Sequence, residues 1–284
     1  MICVNDGSKD QSLEILEEYR RDSRVKVVSQ ENQGISAARN NGLAHARGTY
    51  VMLVDNDDLL AEGAIEAVLE NAFHQDADMV KTGHLVFTES RTIPVVESDY
   101  LVCQNGLGWE LLTYNGFVWG CAIRRALFEK VCFPVGFWYE DMITRLLLYR
   151  LCNRFVYLNQ PVYRYRMHGG NASKKVWSAK NLKALDQYFL LEEIRRYAAG
   201  LGLEETFWVW QLYLDECGSL LYHRLKDLDP ETRQAAFSAC GALLRRSADQ
   251  WDLSQLSCKR YILAKSLLNR DFDLWERLCW SGLI

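Results

Sequence analysis

The chain has 284 residues, 49% of them hydrophobic and 25% charged, the make-up of a folded protein longer than one usual domain. Its net charge of −4 supplies no overall basic field, which excludes generic nucleic-acid binding. The nine cysteines are odd in number and never spaced C-x-x-C, so a zinc cluster and a disulfide scaffold are disfavoured and a reducing cytoplasmic setting is expected. No run approaches the ~20 apolar residues that span a bilayer.

In chain order, "MICVNDGSKD" reads as a short strand running straight into turn residues. Residues from about Ser12 to Arg21 follow at helical spacing, through Leu13, Leu16 and Tyr19. "RVKVVSQ" is a second strand, and "GISAARNNGLAHARG" a helix of small residues closed by Gly48, suited to lying close on a sheet. "TYVMLVD" is apolar on both faces, the pattern of a central strand in a covered parallel sheet. This alternation predicts an α/β layered domain. "DLLAEGAIEAVLENAFHQ" then reads as a helix, "ADMVKTGHLVF" as a strand and "FTESRTIPVVESDYLVCQNG" as an irregular or β excursion. "YEDMITRLLLYRLCN" restarts as a helix, and "FVYLNQPVYRYRMH" is strand-rich. Beyond Ser178 the period is helical near 178–199, 203–226, 230–247 and 254–269, with Gly200 as a stop, Asp229-Pro230 as a start and Ser254 as a cap. A domain at 1–177 and an all-helical one at 178–284 are therefore expected.

The chemistry concentrates in "VDNDD" at the end of an apolar run. Residues i and i+2 of an extended chain share a side, so Asp55 and Asp57 would present two carboxylates to one point beyond the strand's end, where open α/β sheets bind ligands. Mn²⁺ or Mg²⁺ suits such hard oxygen donors and keeps positions open for phosphate oxygens, which points to a nucleotide diphosphate. A calcium loop counted from Asp55 would need an oxygen ligand and then Gly where Leu59 and Leu60 stand. The plainer alternative is that Asp58 caps a helix beginning at Leu59, with Asp55 and Asp57 solvated in the turn.

Five stretches in order, "VNDGSKDQS", "QENQGISAARNNGLAHARGTYVMLVDNDD", "VWGCAIRRALFEK", "FPVGFWYEDM" and "PVYRYRMHGGNAS", together resemble a family 2 glycosyltransferase of the bacterial surface-polysaccharide kind. The resemblance covers residues 1 to about 175. It implies the GT-A fold, a Rossmann-like and mostly parallel sheet with flanking helices, and inverting transfer of a sugar from a nucleotide-diphosphate donor, most often UDP-linked, to a glycan or lipid-linked acceptor. By the same resemblance Asp6 hydrogen-bonds the nucleobase and Arg39 lies near it. Asp55 lies near the ribose and the metal, Asp57 ligates the metal, and His168 completes the metal and diphosphate site. Asp141 is the implied catalytic base, with Glu140 beside it. Trp138 and Tyr139 adjoin Asp141 and are candidate platforms for the sugar. Arg164, Arg166, Lys174 and Lys175 flank His168 and could meet the diphosphate. Each assignment has a plain counterpart: Asp6 in a turn, Arg39 on a solvated helix face, Glu140 and Asp141 favouring a helix start, Trp119 in the core.

The resemblance also implies a first strand and helix with a Pro-x-Tyr/Phe-Asn turn, and this sequence enters the pattern at the second strand. The alternative function is thus a truncated or degenerate glycosyltransferase-like protein that binds nucleotide or a partner without turnover. A nucleotidyltransferase would want a Gly-rich basic phosphate loop, which the sequence lacks. The Trp- and Leu-rich carboxy-terminal helices, as in "FWVWQLYLDECGSLLYHRL", are read first as a self-buried bundle. An acceptor lid, a homo-oligomer contact and a peripheral patch at the inner face of the membrane are the other uses open to them.

Overall fold

The computed structural model describes residues 1–171 and 181–282. Two compact units divide it, one of residues 1–107 and 116–166, the other of residues 108–115 and 167–284. The boundary expected between 177 and 178, together with Lys174 and Lys175, lies outside the described residues.

The first unit opens with β1 (Ile2–Asp6), α1 (Ser12–Tyr19) and β2 (Lys26–Gln30), a right-sized β-α-β unit whose strands pair in parallel, Ile2 opposite Lys26 and Asp6 opposite Gln30. The chain can leave β1 sharply because Gly7 takes a φ of +71°, and a Cβ there would stand 2.8 Å from the Asn32 amide nitrogen. Helix α2 (Ile35–His45) lies on β1, with Gly42 close to Val4. Its end falls at His45, three residues before the expected stop at Gly48, as Ala46 is already extended.

The larger sheet has seven strands: β3 (Tyr50–Met52), β4 (Leu59–Leu60), β5 (Met79–Phe87), β6 (Thr92–Val95), β7 (Leu101–Gln104), β8 (Cys121–Arg124) and β9 (Arg154–Arg166). Its order is β3-β8-β5-β9-β4, with β6 on β5 and β7 on β9. β5 and β9 run parallel, while the other ladders of this sheet are antiparallel. The sheet is thus mixed in direction where a mostly parallel one was expected. Short excursions that fold straight back, such as β6 after β5, can only pair antiparallel.

Two local expectations change. "TYVMLVD" yields only the three-residue β3, half-buried at one end of the sheet and antiparallel to β8, not a central parallel strand. Leu59 and Leu60 form β4 against Arg164 and Tyr163 of β9, and α3 (Ala64–His74) starts only after Gly63. α3 buries Ala64, Val68 and Ala72 against Val80, Ala122, Val156 and Val162, small and β-branched side chains that let the helix sit close on the sheet.

In the second unit the helices are Asp186–Gly200, Phe207–Asp215, Leu221–Leu225, Pro230–Arg245, Cys258–Leu268 and Phe272–Trp280. Asp229 caps the fourth, accepting from the Thr232 amide at 2.8 Å, as its sequence pattern indicates. The cap expected at Ser254 is instead Ser257, which accepts from Arg260. A kink at Gly218 lets Leu263 approach to where a Cβ would stand 2.8 Å from its methyl carbon. Trp210 and Trp275 are fully buried here, each indole N–H donating to a backbone carbonyl. Among the described residues no helix is long and apolar enough to cross a membrane.

Candidate active site

The site is organised on Arg39, midway along α2, whose side chain is only 8% exposed. One arm of the guanidinium donates to Asp55 Oδ1 at 2.9 Å, and the other to Glu140 Oε1 at 2.8 Å and Asp141 Oδ1 at 3.4 Å. The guanidinium also sits 5.3 Å from the centre of the Phe133 ring. Burial alone would lower its pKa, but the three carboxylates outweigh that and raise it. A planar fork of five donors is the group that can serve three acids at once.

Asp55 and Asp57 occupy a tight turn, closed by the Asp58 amide bonding the Asp55 carbonyl at 3.1 Å, rather than the extended strand end that the i, i+2 argument assumes. Asp58 is no helix cap. It is buried, accepts from the Tyr163 hydroxyl and the Arg166 amide at 2.7 Å each, and its pKa is raised by that burial. Tyr163 in turn receives the Asp55 amide at 3.0 Å, so β9 holds the acidic turn from below. The Arg166 side chain donates to the Asp57 carbonyl at 2.8 Å.

Glu140 and Asp141 follow a reversal at Tyr139, whose φ of +65° is uncommon for a bulky residue. The helical stretch 142–151 begins immediately after, as its sequence indicates, and buries Met142, Ile143, Leu146 and Leu147, while Leu151 at its end is only half-buried. Loss of hydration pushes the Asp141 carboxyl up to about 7, Glu140 pushes the same way and Arg39 pulls back. The Asp141 side chain still exposes 32% of its surface, so a substrate hydroxyl can reach it. Trp138 and Tyr139 are half-buried next door, their rings edge-to-face at 6.3 Å.

Asp6 stands at the end of β1, with Oδ1 accepting from the Gln33 amide at 2.9 Å and the Gln30 side chain at 2.8 Å, and Oδ2 from the Gly34 amide at 2.8 Å. Three of the roughly four lone-pair positions of a carboxylate are thus engaged, two by amides leading into α2 and one by Gln30 at the end of β2. His168 belongs to the second unit, where its amide donates to Asn171 Oδ1 and its Nδ1 accepts from the Gly170 amide at 3.1 Å. Trp119 is core, as its plain reading holds: 6% exposed and stacked on Phe117 and Tyr163 at 4.4 and 4.5 Å.

Arg39, Asp55, Glu140 and Asp141 are therefore brought together from three separate stretches of chain. Asp58 and Tyr163 complete the support, and neither carries a pattern that sequence reasoning could have used beyond the run of acids itself. Among the described residues no three His, Cys, Asp or Glu side chains form a group that could hold a metal ion. The donor set is nevertheless one of hard oxygens, the Asp55, Glu140 and Asp141 carboxylates around a single buried guanidinium, the ligand type that a hard divalent cation takes.

The mixed sheet with its flanking helices defines an α/β class of fold, and comparison with known proteins makes the class specific. Residues 1–132 match the model of Glycosyl transferase family 2. Glycosyltransferase GlyA of Streptococcus pneumoniae is 32% identical over 199 residues, 65% of this chain and 28% of that protein. Glycosyltransferase GlyG of the same organism is 28% identical over 81% of both chains. Uncharacterized glycosyltransferase EpsJ of Bacillus subtilis is 33% identical over 58% of this chain and 52% of that one. The chain thus spans about a quarter of GlyA and half of EpsJ. The structure of S. aureus TarS residues 1–349 with UDP-GlcNAc aligns at a TM-score of 0.63 and 17% identity, covering 99% of this chain and 81% of that one, and shows the shared GT-A fold.

Proposed function

We propose that this chain transfers a sugar from a nucleotide-diphosphate donor, a UDP-sugar, to a glycan or lipid-linked acceptor in surface-polysaccharide synthesis, inverting the anomeric centre. The observation that carries this is the shared guanidinium: Arg39 draws Asp55 of the acidic turn and Glu140 and Asp141 of "YED" to one point across 16 and about a hundred residues of sequence. TarS, which shares the fold, was solved with UDP-GlcNAc and with UDP, which supports a nucleotide-sugar donor.

Asp141 acts as the base. It takes the proton of an acceptor hydroxyl as that oxygen bonds the anomeric carbon, while the bond from that carbon to the diphosphate oxygen breaks and its electron pair leaves with the nucleotide. A base whose pKa lies near working pH makes the best compromise between being deprotonated and accepting a proton, for a gain of about 10²–10⁴ in rate. Arg39 keeps Asp141 turned toward the acidic turn and limits the rise in its pKa. Asp55 and Asp57 would hold Mn²⁺ or Mg²⁺. A bound cation supplies charge neutralisation for the departing diphosphate. Asp6 orients the nucleobase with its remaining lone pair, and Trp138 with Tyr139 flanks the sugar.

Calorimetric titration with UDP, GDP and dTDP, with and without Mn²⁺, tests the reading, repeated on Asp57→Ala. Metal-dependent binding of one nucleotide that disappears in the variant is expected. A folded chain that binds none of the three would overturn it in favour of the non-catalytic alternative.

A further inference from the structure

Beside the acids, the first unit carries a second organised group, four near-parallel aromatic rings. Trp119 stacks on Phe117 at 4.4 Å and on Tyr163 and Tyr165 at 4.5 and 5.6 Å, with interplanar angles of 15°, 17° and 5°. His84 meets Phe117 and Trp119 edge-on at 6.2 and 5.0 Å, a preferred geometry for rings with a negative face and a positive edge. β5 shifts its register against β9 on both sides of Gly83, the residue before His84, an irregularity of the kind that re-aims a side chain. Tyr163, Trp119 and His84 are buried, whereas Phe117 exposes 38% of its surface. A phenylalanine scattered alone on a surface would need no account. This one is the exposed member of a rigid stack.

The stack is tied to the acids at two points. The Tyr163 hydroxyl donates to Asp58 and receives the Asp55 amide, so the buried end of the stack supports the acidic turn. Trp119 bridges to Leu53, two residues before Asp55. Phe117 follows Gly116, where a Cβ would stand 3.3 Å from the Asp141 carbonyl oxygen and 3.2 Å from the Arg145 side chain. The missing Cβ lets the chain run close against the backbone of Asp141, and the Phe117 carbonyl accepts from the Cys121 thiol at 3.7 Å. An exposed aromatic ring is thus fixed beside the residue that acts as base. Burial and then Lys81 push the His84 imidazole down to about 4, so the ring that meets Phe117 edge-on is uncharged at neutral pH.

We propose that Phe117 is the acceptor-binding platform, its ring packing against the C–H face of the acceptor sugar and turning a hydroxyl of that sugar toward Asp141, an inference that rests on the transferase reading above. A pyranose carries its hydroxyls around its rim and C–H bonds on its faces, and those weakly positive hydrogens suit the negative face of an aromatic ring. Phe117 serves the acceptor rather than the donor because of where it stands. Asp6, which meets the nucleobase in that reading, ends β1 in the smaller sheet, whereas Phe117 leads into β8 of the larger one and follows the glycine packed on Asp141. An inverting displacement admits the attacking hydroxyl from the side opposite the departing diphosphate, and the base must stand on that side. A ring that holds the sugar there replaces a random encounter by an oriented approach.

Saturation-transfer NMR tests it on the full chain with Mg²⁺, the nucleotide it binds, and the methyl β-glycosides of glucose, galactose, N-acetylglucosamine and N-acetylgalactosamine, with nucleotide affinity measured calorimetrically in parallel. At least one glycoside should receive saturation on its ring C–H protons in the parent. For that glycoside, Phe117→Ala and the apolar but ringless Phe117→Leu should each weaken binding about fivefold or more. Phe117→Trp should hold it within about threefold, and all three variants should keep nucleotide affinity within about twofold. A parent that binds nucleotide but none of the glycosides, or a glycoside affinity that survives Phe117→Leu, would overturn the proposal. So would variants that lose nucleotide and glycoside affinity together, which would make Phe117 a packing residue. A parent that binds no nucleotide would instead bring down the transferase reading itself, and this proposal with it.

Discussion

Replacing Arg39 by Met removes the one buried cation that three acids share, and the structure sets the size of the effect. The Arg39 side chain is 8% exposed, against 15% for Glu140, 28% for Asp55 and 32% for Asp141. Removing one partner of a fully buried pair costs about 3–5 kcal/mol. The three acids here keep some water, and Asp141 can take up a proton, so about 2–4 kcal/mol of unfolding free energy should be lost at pH 8. The pH dependence provides the sharper check. Asp141 has a folded pKa pushed up to about 7 from 3.8. The folded state therefore binds more protons between these values, and its contribution to stability is complete below the unfolded pKa and lost as pH rises through 7. Without Arg39 the carboxyl rises further, so the variant should lose more stability between pH 5 and 8 than the parent does. Urea unfolding followed by tryptophan fluorescence at pH 5.5 and 8, with m-values compared, measures both. Adding Glu140→Gln to Arg39→Met should recover part of the loss at pH 8 by removing an unbalanced charge. A variant within about 0.5 kcal/mol of the parent at both pH values would refute the picture of Arg39 as the counter-charge that gathers the site.

Asp141→Asn should lower the rate of nucleotide release from the donor by 10²–10⁴ while leaving calorimetric nucleotide binding unchanged, and in the parent the rate should rise with pH through about 7 as the base deprotonates. Asp58→Ala strands the Tyr163 hydroxyl and the Arg166 amide that Asp58 accepts from, and should cost about 2–3 kcal/mol in urea unfolding, with faster amide exchange in β4 and at the end of β9. His84 is 7% exposed and its pKa falls to about 4 through burial, then through the nearby Lys81. The unfolded chain then binds the extra proton between pH 6.5 and 4, so stability falls as pH drops through that window, by up to about 3 kcal/mol; His84→Gln should flatten this part of the stability curve.

What could be read from residues alone followed the physics that acts locally. Strand-turn-helix alternation, the buried face of 142–151 and the Asp229-Pro230 helix start depend on neighbours in sequence, and they were legible. β3 misled because "TYVMLVD" is apolar throughout: hydrophobicity says a segment is covered but not by which strand, nor in which direction it pairs. Leu59 and Leu60 looked like a first helical turn, yet the ladder to Arg164 and Tyr163, over a hundred residues away, claims them for the sheet. The plainer alternative for Asp58, a helix cap, fails for the same reason, its partners being on β9. The acids themselves stood out as a run of like charge, but nothing local in the helix "ISAARNNGLAH" says that its arginine meets them, and the resemblance had set Arg39 near the nucleobase.

Tyr139 carries a consequence for how this site tolerates change. A left-handed backbone at a bulky residue holds on the order of 1–3 kcal/mol of conformational energy, and here it sits directly before the two acids that meet Arg39. Any side chain that forced residue 139 back to a negative φ would swing Glu140 and Asp141 away together, so position 139 acts as a filter on substitution quite apart from its ring. Gly and Asn, which enter that conformation readily, should be accepted by the fold, whereas Val and Ile should dismantle the acidic site while leaving the sheet beneath it intact.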